Sequence, residues 1–208
     1  MDIGIIGQGF VGNAVYQKFK KYYNVKTYDL QSMLSNATEQ EVLDNDVVFI
    51  CLPTPMNKDG SCYIDIVEAA IKRVFEFGVA KTVVIKSTVP PGTTSKWNEQ
   101  FPSLDIIFNP EFLTEANAVS DYENQTRIIL GGPRKSTTKL KPIFAKVFPK
   151  ASIIKTASTY AEMVKYVTNS FLATKVSFAN EMYQICEGLD VDYDKVIEYA
   201  TYDERLGK

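Results

Sequence analysis

The chain contains no histidine among its 208 residues. That removes the commonest general base and the commonest nitrogen ligand for metals, so acid–base work falls to lysine, carboxylates, tyrosine or water. Cysteine is scarce as well. Cys51, Cys62 and Cys186 are far apart and form no CxxC pair, which argues against both a disulfide framework and a cysteine-rich metal site. A net charge of only −2 offers no electrostatic footprint for nucleic acid. No apolar run reaches the length of a membrane span. The N-terminus "MDIGIIGQGF" passes directly into a strand and a glycine loop without the features of a leader, so a reducing cytoplasm is the expected compartment and no membrane partner is expected.

What is present is ordinary globular composition, 45% hydrophobic and 23% charged, in a chain long enough for one α/β domain with an appendage or for two small domains. Strand-length apolar runs, "IGIIG", "VKTYD", "DVVFICL", "TVVIKS", "LDIIF", "RIILGG" and "ASIIKT", alternate with segments of helical spacing. Strands rich in Val and Ile on both faces predict a parallel sheet covered by helices, a Rossmann-type doubly wound α/β domain over residues 1–156. Beyond it, Ser158 to about Cys186 lacks proline and glycine, which predicts one long helix broken at Gly188, then a short helix near Tyr193–Ala200; residues 157–208 form this helical segment.

"DIGIIGQGFVG" sets Gly7, Gly9 and Gly12 in GxGxxG spacing after a strand, with Phe10 and Val11 opening the helix that follows. Gly7 permits the tight turn, Gly9 lets backbone approach a pyrophosphate, and Gly12 allows close helix packing. Asp29 closes the second strand where a ribose-binding acid is expected, which favours NAD over NADP because no arginine follows to receive a 2′-phosphate. The competing reading is an ordinary strand-to-helix turn with an exposed acid at a strand end.

Four later stretches carry further polar groups: "CLPTPMNKDGS", "KSTVPPGTT", "NPEFLTEANAVSD" and "AEMVKYVTNSFLATKVSFANE". Pro53, Thr54 and Pro55 follow the third strand, where the loops of an open α/β sheet gather round a ligand. Thr88 ends the fourth strand, its hydroxyl either at that edge or capping the following turn. Glu111 and Glu115, four apart, are read as sharing a helical face, as water activators or as charges favouring a helix N-terminus. Lys165 and Asn169 fall one helical turn apart amid apolar neighbours.

Together, in order and spacing, these stretches resemble the UDP-glucose/GDP-mannose dehydrogenase family, and within it the members that oxidise UDP-glucose. The resemblance implies NAD as cofactor and oxidation of the sugar C6 alcohol to a carboxylate by two successive hydride transfers. It implies that Thr88 holds a water or the substrate hydroxyl, that Glu111 activates the hydrolytic water, that Glu115 and Thr54 contact NAD, and that backbone near Phe112 and Leu113 holds the nucleotide sugar. Lys165 and Asn169 match the family's Lys-x-x-x-Asn pair, donors to the reacting oxygen. Thr114 stands where the family often has arginine. The family's nucleophilic cysteine has a "GGxC" context that none of the three cysteines shares, so that cysteine and a C-terminal nucleotide-sugar domain are expected to lie outside these residues. The long helix implies a homodimer. Alternatives are a dehydrogenase for GDP-mannose or a UDP-N-acetylhexosamine, a β-hydroxyacid dehydrogenase with a similar Lys-x-x-x-Asn helix, or a non-catalytic NAD-binding module.

Overall fold

The computed structural model describes residues 1–79 and 82–206; Gly207, the last residue of the "DERLG" stretch, lies outside them. Strands β1 (Ile3–Ile6), β2 (Val25–Tyr28), β3 (Val47–Ile50), β4 (Thr82–Ile85), β5 (Asp105–Phe108), β6 (Arg127–Gly131) and β7 (Ser152–Thr156) form one sheet in the order β2-β1-β3-β4-β5-β6-β7. The first five run parallel. β6 meets β5 antiparallel, through Phe108 and Gly131, and carries β7 parallel to itself. The sheet is thus mostly parallel, as expected, with antiparallel pairing at β5–β6. The link from β5 to β6 contains only the six-residue helix α5 (Ala118–Glu123), and the chain re-enters the sheet from the edge it left.

Both faces of the sheet are covered, and the strands alternate between two cores. Ile6, Val48, Ile50, Val83, Ile85, Ile106 and Phe108 pack with helices α2 (Glu39–Leu43), α3 (Asp65–Phe77) and α4 (Thr93–Gln100). Ile3, Ile5, Phe49, Val84 and Ile107 pack with α1 (Phe10–Phe19) and α6 (Arg134–Val147). On this second face Phe19 meets Phe49 and Phe144 edge-on, with ring centroids 5.1 and 5.5 Å apart. β1 pairs with both β2 and β3, so the chain reverses its direction of travel across the sheet there. The loop after β1 therefore opens at the topological switch point.

The chain divides into two compact units, Met1–Lys165 and Tyr166–Lys208, with the long helix α7 (Ser158–Gly188) crossing the boundary. In the first unit, α7 begins directly on the sheet. A Cβ on Gly131 would come within 2.4 Å of the Ala161 methyl and 3.1 Å of Ser158 Cα, so only glycine lets the helix approach so closely. In the second unit α7 ends at Gly188, where the break is expected. Leu189 N–H still reaches the Ile185 and Cys186 carbonyls at 3.1 Å each, and the left-handed residue is Asp190, at φ 55°. Val191 N–H then bonds Cys186 O at 2.9 Å, Asp192 caps α8 (Tyr193–Ala200), and Tyr183 packs edge-on against Tyr193.

Candidate functional site

The three loop glycines are required for different reasons. Gly7 has φ +91°, and a Cβ there would sit 2.5 Å from Cys51 O; a Cβ on Gly12 would sit 1.9 Å from Gly7 O. These two are fixed by the protein's own packing. A Cβ on Gly9 would meet no atom within 4 Å, so what it keeps clear is space beside the chain. That space belongs to a cavity of about 670 Å³ lined by Gly7, Gly9, Asp29, Pro53, Ala69 and Arg73. Asp29 crosses from β2 to the loop: its Oδ2 accepts from Gln8 N–H at 2.7 Å and its Oδ1 from Gln31 N–H at 2.9 Å. The sequence reading found no arginine following Asp29. Arg73 reaches the same cavity from α3, and its Nε lies 2.7 Å from Glu39 Oε1, an ion pair between partly exposed groups.

A smaller cavity of about 190 Å³ shares Val11, Cys51, Leu52 and Pro53 with the first and is closed by Thr54, Lys86, Ser87, Thr88 and Glu111. These residues follow β3, β4 and β5, three adjacent parallel strands whose carboxyl ends meet at one edge. Thr54 Oγ1 donates to Thr88 O at 2.8 Å, and Ser87 Oγ accepts from Leu52 N–H at 3.0 Å, which ties the β3 loop to the β4 loop. Lys165 donates to Glu111 Oε1 at 2.7 Å and to Glu111 O at 2.5 Å, with the lysine side chain 5% and the glutamate side chain 14% exposed. An ion pair this dry is retained only with supporting hydrogen bonds, and the second acceptor on Glu111 is one of them.

The expected helical face shared by Glu111 and Glu115 is absent. Residues 109–117 are a loop, because Glu111 Oε2 accepts from Leu113 N–H at 2.8 Å and closes a local turn, while Thr114 bonds Asp121 through both N–H and hydroxyl. Glu115 is exposed there. Phe112 lies between two cations, with Arg127 Cζ 4.5 Å and Lys165 Nζ 5.5 Å from its ring centroid. Phe10 is exposed and Val11 half-buried at the mouth of the glycine loop. Asn169 is exposed on the portion of α7 that belongs to the second unit.

Residues 20–148 match the NAD binding domain of the UDP-glucose/GDP-mannose dehydrogenase family, and residues 159–208 match its central domain. The chain belongs to that family. It is 35% identical to the UDP-glucose 6-dehydrogenase TuaD of Bacillus subtilis over 86% of this chain and 41% of that protein. It is 31% identical to the UDP-glucose 6-dehydrogenase AglM of Haloferax volcanii over 100% of this chain and 59% of that protein. The chain thus spans about half the length of these relatives. Among solved structures, a UDP-glucose dehydrogenase from Pyrobaculum islandicum superposes with a TM-score of 0.86 at 28% identity, covering 98% of this chain and 57% of that one. A GDP-mannose dehydrogenase from Pseudomonas aeruginosa superposes at 0.83 and 27%, covering 98% and 57%.

The residues present fit the family's cofactor. Gly9 leaves clear the approach that a pyrophosphate needs, and Asp29 lines the same cavity with a carboxylate suited to ribose hydroxyls. Cys51 lines both cavities, but burial pushes its thiol up to about 12, which keeps it protonated and a poor nucleophile. Two buried charged groups escaped the sequence reading. Lys86 is the lone cation at the end of the otherwise apolar run "TVVIK", a signal that was available. Glu162 is fully buried and accepts from Gly92 N–H at 2.6 Å and Thr94 N–H at 2.9 Å, capping α4 from α7. No spacing rule links residues 70 positions apart.

Proposed function

We propose that this chain is the NAD-binding and central-helix portion of a nucleotide-sugar 6-dehydrogenase, with UDP-glucose as the sugar nucleotide. The observation that carries the reading is the buried Lys165–Glu111 pair standing with Thr88 where the β4 and β5 ends meet, beside the glycine-loop cavity. Bound NAD would accept hydride from the sugar C6. The protein's part is to orient and to move protons. Lys165 keeps its ammonium in a nearly dry setting, where a donor to a developing alkoxide has the most effect. Glu111 fixes that ammonium's position and supplies a carboxylate able to take a proton from a hydroxyl or a water. The Thr88 hydroxyl is the remaining short-range partner for the substrate oxygen. In this reading Gly7, Gly9, Phe10, Val11, Gly12, Asp29, Thr54 and Glu115 serve the cofactor, and Phe112 and Leu113 the sugar nucleotide.

UDP-glucose is preferred because curated relatives at 35% and 31% identity are named UDP-glucose 6-dehydrogenases, while GDP-mannose names one of the structural neighbours. A homodimer is inferred from α7, where Val167, Phe171, Leu172, Val176, Phe178 and Tyr183 are exposed. Among the described residues no helix is long and apolar enough to cross a membrane; a cytoplasmic setting is our inference from three free cysteines.

The test is calorimetry of the purified chain with NAD, followed by the absorbance of reduced cofactor after adding UDP-glucose or GDP-mannose. NAD binding without completed oxidation of either sugar nucleotide is the expected result, since the nucleophilic cysteine and the nucleotide-sugar domain are expected outside these residues. A chain that takes up no NAD refutes the reading, and faster reduction with GDP-mannose reassigns the sugar. Binding without reduction by either sugar fits a portion that awaits its nucleotide-sugar domain; absence of hydride transfer in the longer protein as well would favour the competing view of a dinucleotide-binding module.

A further inference from the structure

We propose that Lys86 sets which oxidation state of the nicotinamide this site prefers, its ammonium disfavouring the cationic ring of NAD relative to the neutral ring of NADH. The inference rests on the dinucleotide reading given above and deepens it.

Lys86 follows β4 and is 3% exposed, yet its side chain forms part of the wall of the 190 Å³ cavity. The hydrogen bond it donates goes to a neutral acceptor, Asn109 Oδ1, at 3.0 Å. Asn109 is itself held by Ile129 O, 2.8 Å from its Nδ2, so it presents its oxygen to Lys86. The carboxylate of this pocket, Glu111, is already engaged by Lys165 at 2.7 Å. Lys86 and Glu111 line the cavity and Lys165 neutralises Glu111 beside it, so after the Lys165–Glu111 pair is subtracted the charge of Lys86 is left over.

The cavity's position makes that surplus matter. A dinucleotide with its pyrophosphate at Gly9 and one ribose at Asp29 must send its other nucleoside away from β2. The switch point directs it toward the ends of β4 and β5, where this cavity shares four wall residues with the larger one. The oxidised and reduced rings differ by one unit of positive charge. A buried cation nearby raises the free energy of one and leaves the other nearly untouched. A site that holds the product form more tightly favours hydride transfer to the cofactor.

The charge on Lys86 also varies in an accessible range. Burial pushes its ammonium down to about 8, with Glu111 favouring the charged form and Lys165 opposing it. From α5 the Tyr122 ring stands 5.3 Å from Lys86 Nζ, its own phenol pushed well up by burial and so uncharged. No histidine competes in this window.

The experiment measures dissociation constants of the intact chain for NAD and, separately, for NADH between about pH 6.5 and about pH 9.5, a span that brackets a lysine so lowered. Calorimetry serves for NAD and fluorescence for NADH. In the wild-type chain the ratio of NAD to NADH dissociation constants should fall about tenfold as pH rises through the titration of Lys86. In Lys86→Met it should be low and flat, and in Lys86→Arg high and flat. A wild-type ratio that does not change with pH overturns the proposal without any variant, as does a Lys86→Met ratio that tracks the wild type. Loss of binding of both nucleotides in the wild type would instead remove the dinucleotide reading itself, a distinct outcome.

Discussion

Replacing Glu162 by glutamine tests how the opening turns of α7, Ser158 to Lys165, are held within the sheet unit. The carboxylate is fully buried and accepts from Gly92 N–H at 2.6 Å and Thr94 N–H at 2.9 Å, the first free donors of α4. Hydrogen bonds to a charged partner contribute roughly 1.5–3 kcal/mol each, and a buried donor left facing another donor costs about 1–3 kcal/mol. Glutamine keeps the shape and one acceptor but turns an NH₂ toward the second N–H. The expected loss is therefore about 2–3 kcal/mol, one such bond plus part of a desolvation penalty. For a chain of this size that lowers the melting temperature by roughly 4–12 °C. The assay is thermal unfolding followed by circular dichroism, with Ser158→Ala as comparison, since the Ser158 and Ser95 hydroxyls form a neutral bond at 2.8 Å in the same contact. If Glu162→Gln melts within the error of the wild type, the carboxylate does not hold these two elements together and the account of α7 anchoring fails.

Two further outcomes follow from the site. Gly12→Ala, whose new methyl would sit 1.9 Å from Gly7 O, should unfold or strongly destabilise the chain, whereas Gly9→Ala should leave the melting curve nearly unchanged and abolish NAD binding; equal effects of the two on stability would contradict the distinction drawn between them. Lys86→Met should stabilise the chain at neutral pH by roughly 3 kcal/mol, because Lys86 is lowered to about 8 from an ordinary value near 10.4. The sign follows from proton counts. Between those two values the unfolded chain binds a proton that the folded chain does not, so wild-type stability rises with pH there, and below about 8 the cost is fully present. The advantage of the variant should thus shrink as pH climbs above about 8, and a constant advantage in denaturant titrations across that range would refute the assignment.

The sheet was legible because its strands are apolar on both faces and short, so "VVFI" and "TVVI" have no solvent-facing alternative. The glycine loop was legible from its spacing after a strand, although only Gly12 answers to an atom of the loop itself, Gly7 O, while Gly7 answers to Cys51 at the end of β3. Reasoning from spacing failed where a side chain answers to a distant partner. Glu111 and Glu115 have helical spacing, yet Glu111 is claimed by Leu113 N–H on one oxygen and by Lys165 on the other, and the helix does not form. Lys86 was passed over because a lysine ending a strand is ordinarily exposed, and only the cover given by Asn109 and Tyr122 makes it otherwise. The reversal of β6 had no local signal either.

The opening turns of α7 explain why a polar pattern occupies a position where an apolar stripe would be ordinary. Ser158, Ala161, Glu162 and Lys165 stand at i, i+3, i+4 and i+7, which places them along one face of the helix. Each meets a different element: Ala161 lies against Gly131 of β6, Ser158 and Glu162 against α4 and the turn before it, and Lys165 against the loop after β5. An apolar stripe on this face would tolerate sliding, since dispersion contacts are forgiving of direction. Two buried charges with fixed partners are not, because a slip of one turn strands both and an unpaired buried charge is far more costly than a lost contact. The helix is thereby held in one register, and with it the distance between the Lys165 ammonium and the Glu111 carboxylate. The polar face of α7 thus contributes to specificity of position more than to gross stability, which is what the proposed contact of this pair with a reacting oxygen would require.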